Sequence, residues 1–238
     1  MKTRLIHSGR TKFALMALVL ASAISVGMLA ARALYSRELK FTFLPANLLL
    51  AWIPLVFALV VYTLRARRSE KWALLGACAF IWFIFFPNAS YLITDLVHLK
   101  TRPPIPRWYD LLVFMSFAWT GLFLGYLSLY LMQEVVRSWL GRAASWRFAI
   151  AMLALGALGV FLGRFWRWNS WELLTHPPGL AGDALRRLNE MSIWEAAAFS
   201  STFFAFSLMI YVTLYTMTHL HGHVEMRENF NRSKDEGR

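Results

Sequence analysis

The chain has 238 residues, of which 58% are hydrophobic, 16% aromatic and 16% charged, whereas a soluble domain carries about 25% charged residues. This excludes a disordered chain, which is poor in apolar residues, and a single cysteine, Cys78, excludes a disulfide scaffold. The formal net charge of +12 would suit a nucleic-acid binder, but Lys and Arg are kept out of long apolar blocks and gathered between them, which points to a multi-pass membrane protein and away from nucleic acid.

Six apolar blocks follow in order: Phe13–Ala31, Phe41–Leu64, Trp72–Thr94, Leu111–Gln133, Phe148–Gly163 and Ala196–Thr218. A hydrocarbon core of about 30 Å takes about 20 residues of helix. Five blocks satisfy this outright; Phe148–Gly163 does so if Arg147 and Arg164 extend from its ends to the headgroups. Lys2, Arg4, Arg10 and Lys12 before the first block, and small residues after it, resemble a signal peptide. A cleaved apolar region spans only about 7–15 residues, so a retained first helix is expected. No dyad alternation suggests a barrel. The expected fold is all-α: a polytopic transmembrane bundle of about six helices, one domain over residues 13–220, between a cytoplasmic tail (1–12) and a polar cytoplasmic tail (221–238).

Orientation follows from the basic residues. With six crossings, one side collects 15 Lys and Arg and the other 10. The richer side holds both termini and the gaps 65–71 and 137–147, so the termini are expected to be cytoplasmic. On the outer side, the Pro177-Pro178 break precedes a segment, Gly179–Ser192, with Leu180, Ala184, Leu185, Leu188 and Met191 along one face. That pattern predicts a short interfacial helix.

The richest chemistry lies at the outer end of the third block, in Phe86-Pro87-Asn88-Ala89-Ser90-Tyr91-Leu92-Ile93-Thr94-Asp95-Leu96-Val97-His98. Pro87 lacks an amide donor and is expected to kink or restart the helix. Beyond it, Asn88, Tyr91, Asp95 and His98 fall three, four and three apart, on one helical face. A carboxylate one turn from an imidazole can orient it, tune it or share a metal with it. Asp95 and His98 are therefore the candidate catalytic pair, and Asn88 and Tyr91 candidate binding groups; the alternative is a structural Asp–His pair on a helix leaving the membrane. Arg107-Trp108-Tyr109-Asp110 opens the fourth block on the same side, and Arg164-Phe165-Trp166-Arg167-Trp168-Asn169-Ser170-Trp171-Glu172 closes the fifth. Asp110, Arg164, Arg167, Asn169 and Glu172 complete the candidate site. The tryptophans also suit an interfacial belt, and the arginines suit snorkelling anchors.

These strings, together with Trp108-Tyr109-Asp110 and Arg164-Phe165-x-Arg167-Trp168-Asn169-Ser170-Trp171, resemble the bacterial integral-membrane family catalogued as domain of unknown function 1361. In that family the residue before Tyr91 is often proline, where this chain has Ser90. The resemblance implies a multi-pass protein of the bacterial cytoplasmic (inner) membrane and no particular activity.

Weaker signals remain. Gly121-x-x-x-Gly125 and Gly159-x-x-x-Gly163 permit close helix packing. His219, His221 and His223 around Gly222 resemble a metal tract but read better as a solvated helix end. No Walker loop, dinucleotide fingerprint, zincin or nucleophile-elbow motif is present, and neither a cofactor nor a metal is specified. Three functional readings follow. The first is an outer-face site acting on or binding an anionic lipid headgroup or envelope component. The second is a transporter or channel, disfavoured because the cytoplasmic half of each block reads as Leu, Ala, Val and Phe. The third is a non-catalytic membrane assembly subunit.

Overall fold

A computed structural model describes residues 9–67, 71–99, 104–166 and 193–235, and their regular structure is helical. Helix α1 (Gly9–Ser36) leads to α2 (Phe43–Ala66) and α3 (Trp72–Tyr91); a 3-10 segment (Leu92–His98) continues α3. Helix α4 (Arg107–Phe161) ends in a π-turn (Leu162–Trp166), and α5 (Ile193–Asp235) closes the chain. In lipid every backbone N–H and C=O must bond within the segment, so apolar runs of this length fold as helices. Among the described residues, five helices are long and apolar enough to cross a membrane. Their outward faces carry large apolar side chains such as Phe13, Leu49, Phe80, Trp119 and Met209, all more than half exposed, as lipid-facing surfaces require.

Helix α4 contains the fourth and fifth apolar blocks. The expected gap at 137–147 is not a loop. Helix persists through it and is interrupted only at Gly141, with φ 83° and ψ −179°. A side chain disfavours that backbone strongly. Only one residue breaks the run because its neighbours, Trp139, Leu140, Arg142, Ala143 and Ala144, are serviceable helix formers. The limbs on either side of Gly141 pack on the same stretch of α3: a Cβ at Gly121 or Gly125 would meet Ala89 and Leu92, and one at Gly156 or Gly159 would meet Phe86 and Pro87. Positions about equally far from Gly141 therefore sit at one depth, and the chain reverses direction there.

This packing explains why the helix is not restarted at Pro87, contrary to expectation. Helix α3 runs through Pro87 to Tyr91 and then tightens to 3-10 geometry. The pyrrolidine ring occupies the space left by Gly159, whose Cβ would lie 2.5 Å from Pro87 Cγ. The small-residue motifs thus serve contacts within the chain. Gly159→Ala is expected to cost about 1–3 kcal/mol through overpacking against a rigid ring. Gly76→Ala, where nothing lies within 4 Å, should be neutral or stabilise by up to about 1 kcal/mol. Thermal unfolding in detergent checks the pair; equal midpoints for the two variants would contradict this packing.

The buried interior is mainly apolar, with Leu44, Leu48, Ala51, Leu55 and Ala58 of α2 against Val113, Phe114, Phe117 and Leu124 of α4. Polar pairs nevertheless recur along its depth. Trp52 donates to Ser22 at 3.1 Å and Trp82 to Ser128 at 3.2 Å. Nearer the end that holds Gly141, Tyr211 donates to Gln133, both fully buried, beside Tyr126 and Tyr215. The few polar groups at this depth include tyrosines, which carry apolar rings into the core; Tyr211 finds its hydroxyl partner there. Helix α5 continues through Gly222 to Asp235, so the histidine tract lies within a helix and not at a helix end. The expected interfacial helix, Gly179–Ser192, lies outside the described residues.

Candidate functional site

The end of the bundle remote from Gly141 is built by three elements. Helix α2 contributes Asn47 from its second turn, α3 and its 3-10 extension contribute Tyr91, Asp95 and His98, and the π-turn ending α4 contributes Arg164. The tightening at Leu92 sets the alignment. With three residues per turn, Asp95 and His98 stand on one edge, and Thr94 secures the junction by donating to the Tyr91 carbonyl at 2.7 Å.

Arg164 is the hub. Its Nη1 donates to Tyr91 Oη and to Asp95 Oδ1, each at 3.3 Å, and its Nη2 donates to His98 Nε2 at 2.9 Å. The guanidinium also lies 5.8 Å from the Tyr91 ring centre, within cation–π reach. The other Asp95 oxygen accepts from Asn47 Nδ2 at 2.9 Å. Asp95 is 1% exposed, so both of its oxygens are matched where an unpaired carboxylate would be costly. Because guanidinium only donates, His98 Nε2 must accept, which places the ring proton of the neutral imidazole on Nδ1. His98 is itself exposed and packs edge-on against Phe43, 5.4 Å between ring centres.

Three of the five Arg164 N–H groups are engaged in these bonds; the arginine side chain is 15% exposed. Arg164 and the exposed His98 together form a polar lip over the buried Asp95. A guanidinium edge of that kind matches the planar geometry of a carboxylate or phosphate.

Asp110 does not join this cluster. It is 1% exposed and pairs with Arg32 of α1, Nε to Oδ1 at 2.5 Å and Nη2 to Oδ2 at 3.2 Å. Arg32 also lies 4.6 Å over the Phe41 ring, and its Nη1 has no hydrogen-bond partner among the described residues. Phe41, Phe43 and Phe114 are in mutual contact and link this pair to His98. Among the described residues, the two buried ion pairs at this end are separated by aromatic rings. Asp110 became a candidate because it lies at the right depth, but depth does not decide on which flank a side chain finds its counter-ion.

Asn88 sits half-buried one turn before Tyr91. Arg167, Asn169 and Glu172 lie outside the described residues. Sequence reasoning missed both Arg32 and Asn47 as partners of the buried carboxylates. A buried carboxylate at Asp95 needs a donor at its own depth, and that was the signal that could have singled out Asn47. Among the described residues, no group of three His, Cys, Asp or Glu side chains converges as a metal site.

The chain belongs to the family described as protein of unknown function, DUF1361, whose model matches residues 46–225 and so takes in Asn47, Tyr91, Asp95, His98, Asp110 and Arg164. No curated protein and no solved structure matches the chain.

Proposed function

We propose that this chain is a six-crossing protein of the bacterial inner membrane, with both termini cytoplasmic, which binds an anionic group at its outer face through Arg164 and His98. The reversal at Gly141 supports six crossings, since the two limbs of α4 pass the same depth of α3. Burial of Arg32 against Asp110 supports a retained α1. Reporter fusions after Arg142 and after Gly182 should report opposite sides; the same side for both would overturn this topology.

The observation that carries the binding reading is the Arg164 hub itself. Asp95, itself held by Asn47, holds the guanidinium from below, and the guanidinium lies beside an exposed imidazole. Asp95, with both oxygens committed, serves as the anchor and not as a proton carrier. The ligand class is phosphate or carboxylate, from a lipid headgroup or an envelope component. In nanodiscs of mixed phosphatidylglycerol and phosphatidylcholine, the protein should hold the anionic lipid preferentially. Arg164→Lys should keep part of the preference and Arg164→Gln should lose it; a preference untouched by Arg164→Gln would refute the reading. A second reading, a polar path across the bundle, draws on the Trp82–Ser128 and Tyr211–Gln133 pairs at successive depths. Solute flux in reconstituted vesicles would favour it.

A further inference from the structure

An apolar groove of about 340 Å³ lies between the 3-10 segment and α5, lined by Ile93, Thr94, Phe199, Thr202, Phe203 and Phe206. Its volume falls in the range of about 300–1,000 Å³ usual for small-ligand sites. The α5 wall follows the spacing 199, 202, 203, 206 of one helical face, about 10 Å along the axis, within a helix apolar enough to span the bilayer.

One end of the groove meets the Arg164 site. Thr94 immediately precedes Asp95 in the chain. Phe165, next to Arg164, packs on Phe199 with ring centres 5.1 Å apart. Tyr91 joins the two: its hydroxyl accepts from Arg164, while its ring packs against the cluster of Ala157, Val160 and Phe203. The Arg164 cluster and the apolar groove are therefore adjacent, joined through Tyr91 and Phe165.

We infer that the anionic ligand of the Arg164 site is a membrane lipid, with one acyl chain seated in this groove and its phosphate against Arg164 and His98. This rests on the anion-binding reading above and adds the substrate class. Two features favour an acyl chain as occupant. The lining is apolar, on a helix apolar enough to span the bilayer, and the Arg164 cluster supplies charge beside it. Apolar contact alone would not select a lipid, because a chain leaving the bilayer gains little from an equally apolar groove. Selection comes from the charge at the mouth, and the groove fixes where the chain lies.

The test uses spin-labelled phosphatidylglycerol and phosphatidylcholine with the full chain in vesicles, reading the motionally restricted lipid. The anionic probe should be enriched by roughly twofold to fivefold, the scale of one partly exposed charge contact. Thr202→Trp, at an exposed position, should fill the groove and release the restricted chain while leaving Arg164-dependent binding of water-soluble glycerol phosphate intact. Thr202→Cys, modified with a bulky maleimide after purification, gives the same readout on an already folded protein, since the native Cys78 is buried. Restricted lipid unchanged in both variants would overturn the groove assignment, as would a disulfide cross-link seating the chain's own residues 179–192 there. Loss of glycerol phosphate binding on Arg164→Gln together with unchanged lipid restriction would overturn the lipid and keep the anion site. No dependence of either probe on Arg164 would overturn both.

Discussion

Asp110→Ala is expected to destabilise the protein by about 3–5 kcal/mol, the cost of stranding a buried charge. Its partner Arg32 is 2% exposed overall and has no hydrogen-bond partner for Nη1 among the described residues even when the pair is intact. Without the carboxylate, the guanidinium would keep only the Phe41 ring, and a desolvated cation–π contact of about 2 kcal/mol does not replace a bidentate ion pair. The pair joins α1 to the start of α4, so the damage should appear as detachment of α1. The same reasoning predicts that Arg32→Met combined with Asp110→Leu restores most of the loss, since a well-packed apolar pair is often no worse than a buried ion pair. Chemical unfolding of the single and double variants in one detergent checks this. A double variant as unstable as Asp110→Ala would mean the charges themselves are required.

Arg164→Ala should have an effect of similar kind and about 3 kcal/mol in size, because it leaves the Asp95 carboxylate buried with only Asn47. It also removes the ion pair between the end of α4 and the 3-10 extension of α3. Asp95→Asn in the same chain should recover part of that stability, because a neutral amide needs no counter-ion. The sign of this coupling is the informative quantity: a double-mutant cycle showing no interaction between positions 95 and 164 would contradict the geometry.

Much of the fold was legible from charge and hydropathy alone. The blocks Phe41–Leu64 and Trp72–Thr94 differ by only a few residues from α2 and from α3 with its 3-10 extension, because a charge-free run of that length has few alternatives in lipid. The fusion of two blocks into α4 was not legible, since helix propensity does not stop at a charged gap and a single glycine sufficed for the reversal. That the helix continues through Pro87 was not legible for a related reason. The cost of an internal proline is a local quantity, whereas the space offered by Gly159 depends on residues far along the chain. At the site, the grouping of Asp95 and His98 followed from spacing, and Arg164 was named as their neighbour on depth alone. Asn47 and the Arg32–Asp110 pair required knowledge of which helices adjoin, and that is set by side-chain shape at the contacts and not by any periodicity.

The central claim, that the Arg164 edge recognises an anion and is not merely a tie between helices, is tested most directly with the double variant Asp95→Asn, Arg164→Gln. The substitutions remove both charges together and keep groups able to hydrogen-bond with Asn47, Tyr91 and His98, so no buried charge is stranded. The measurement is the rise in unfolding temperature on adding phosphatidylglycerol in place of phosphatidylcholine to the detergent-solubilised protein, since a ligand that binds only the folded state raises that temperature. The account predicts a clear anionic-lipid stabilisation for the unsubstituted chain and none for a folded double variant. An equal rise in both proteins would contradict it and leave Asp95 and Arg164 as a structural link between α3 and α4.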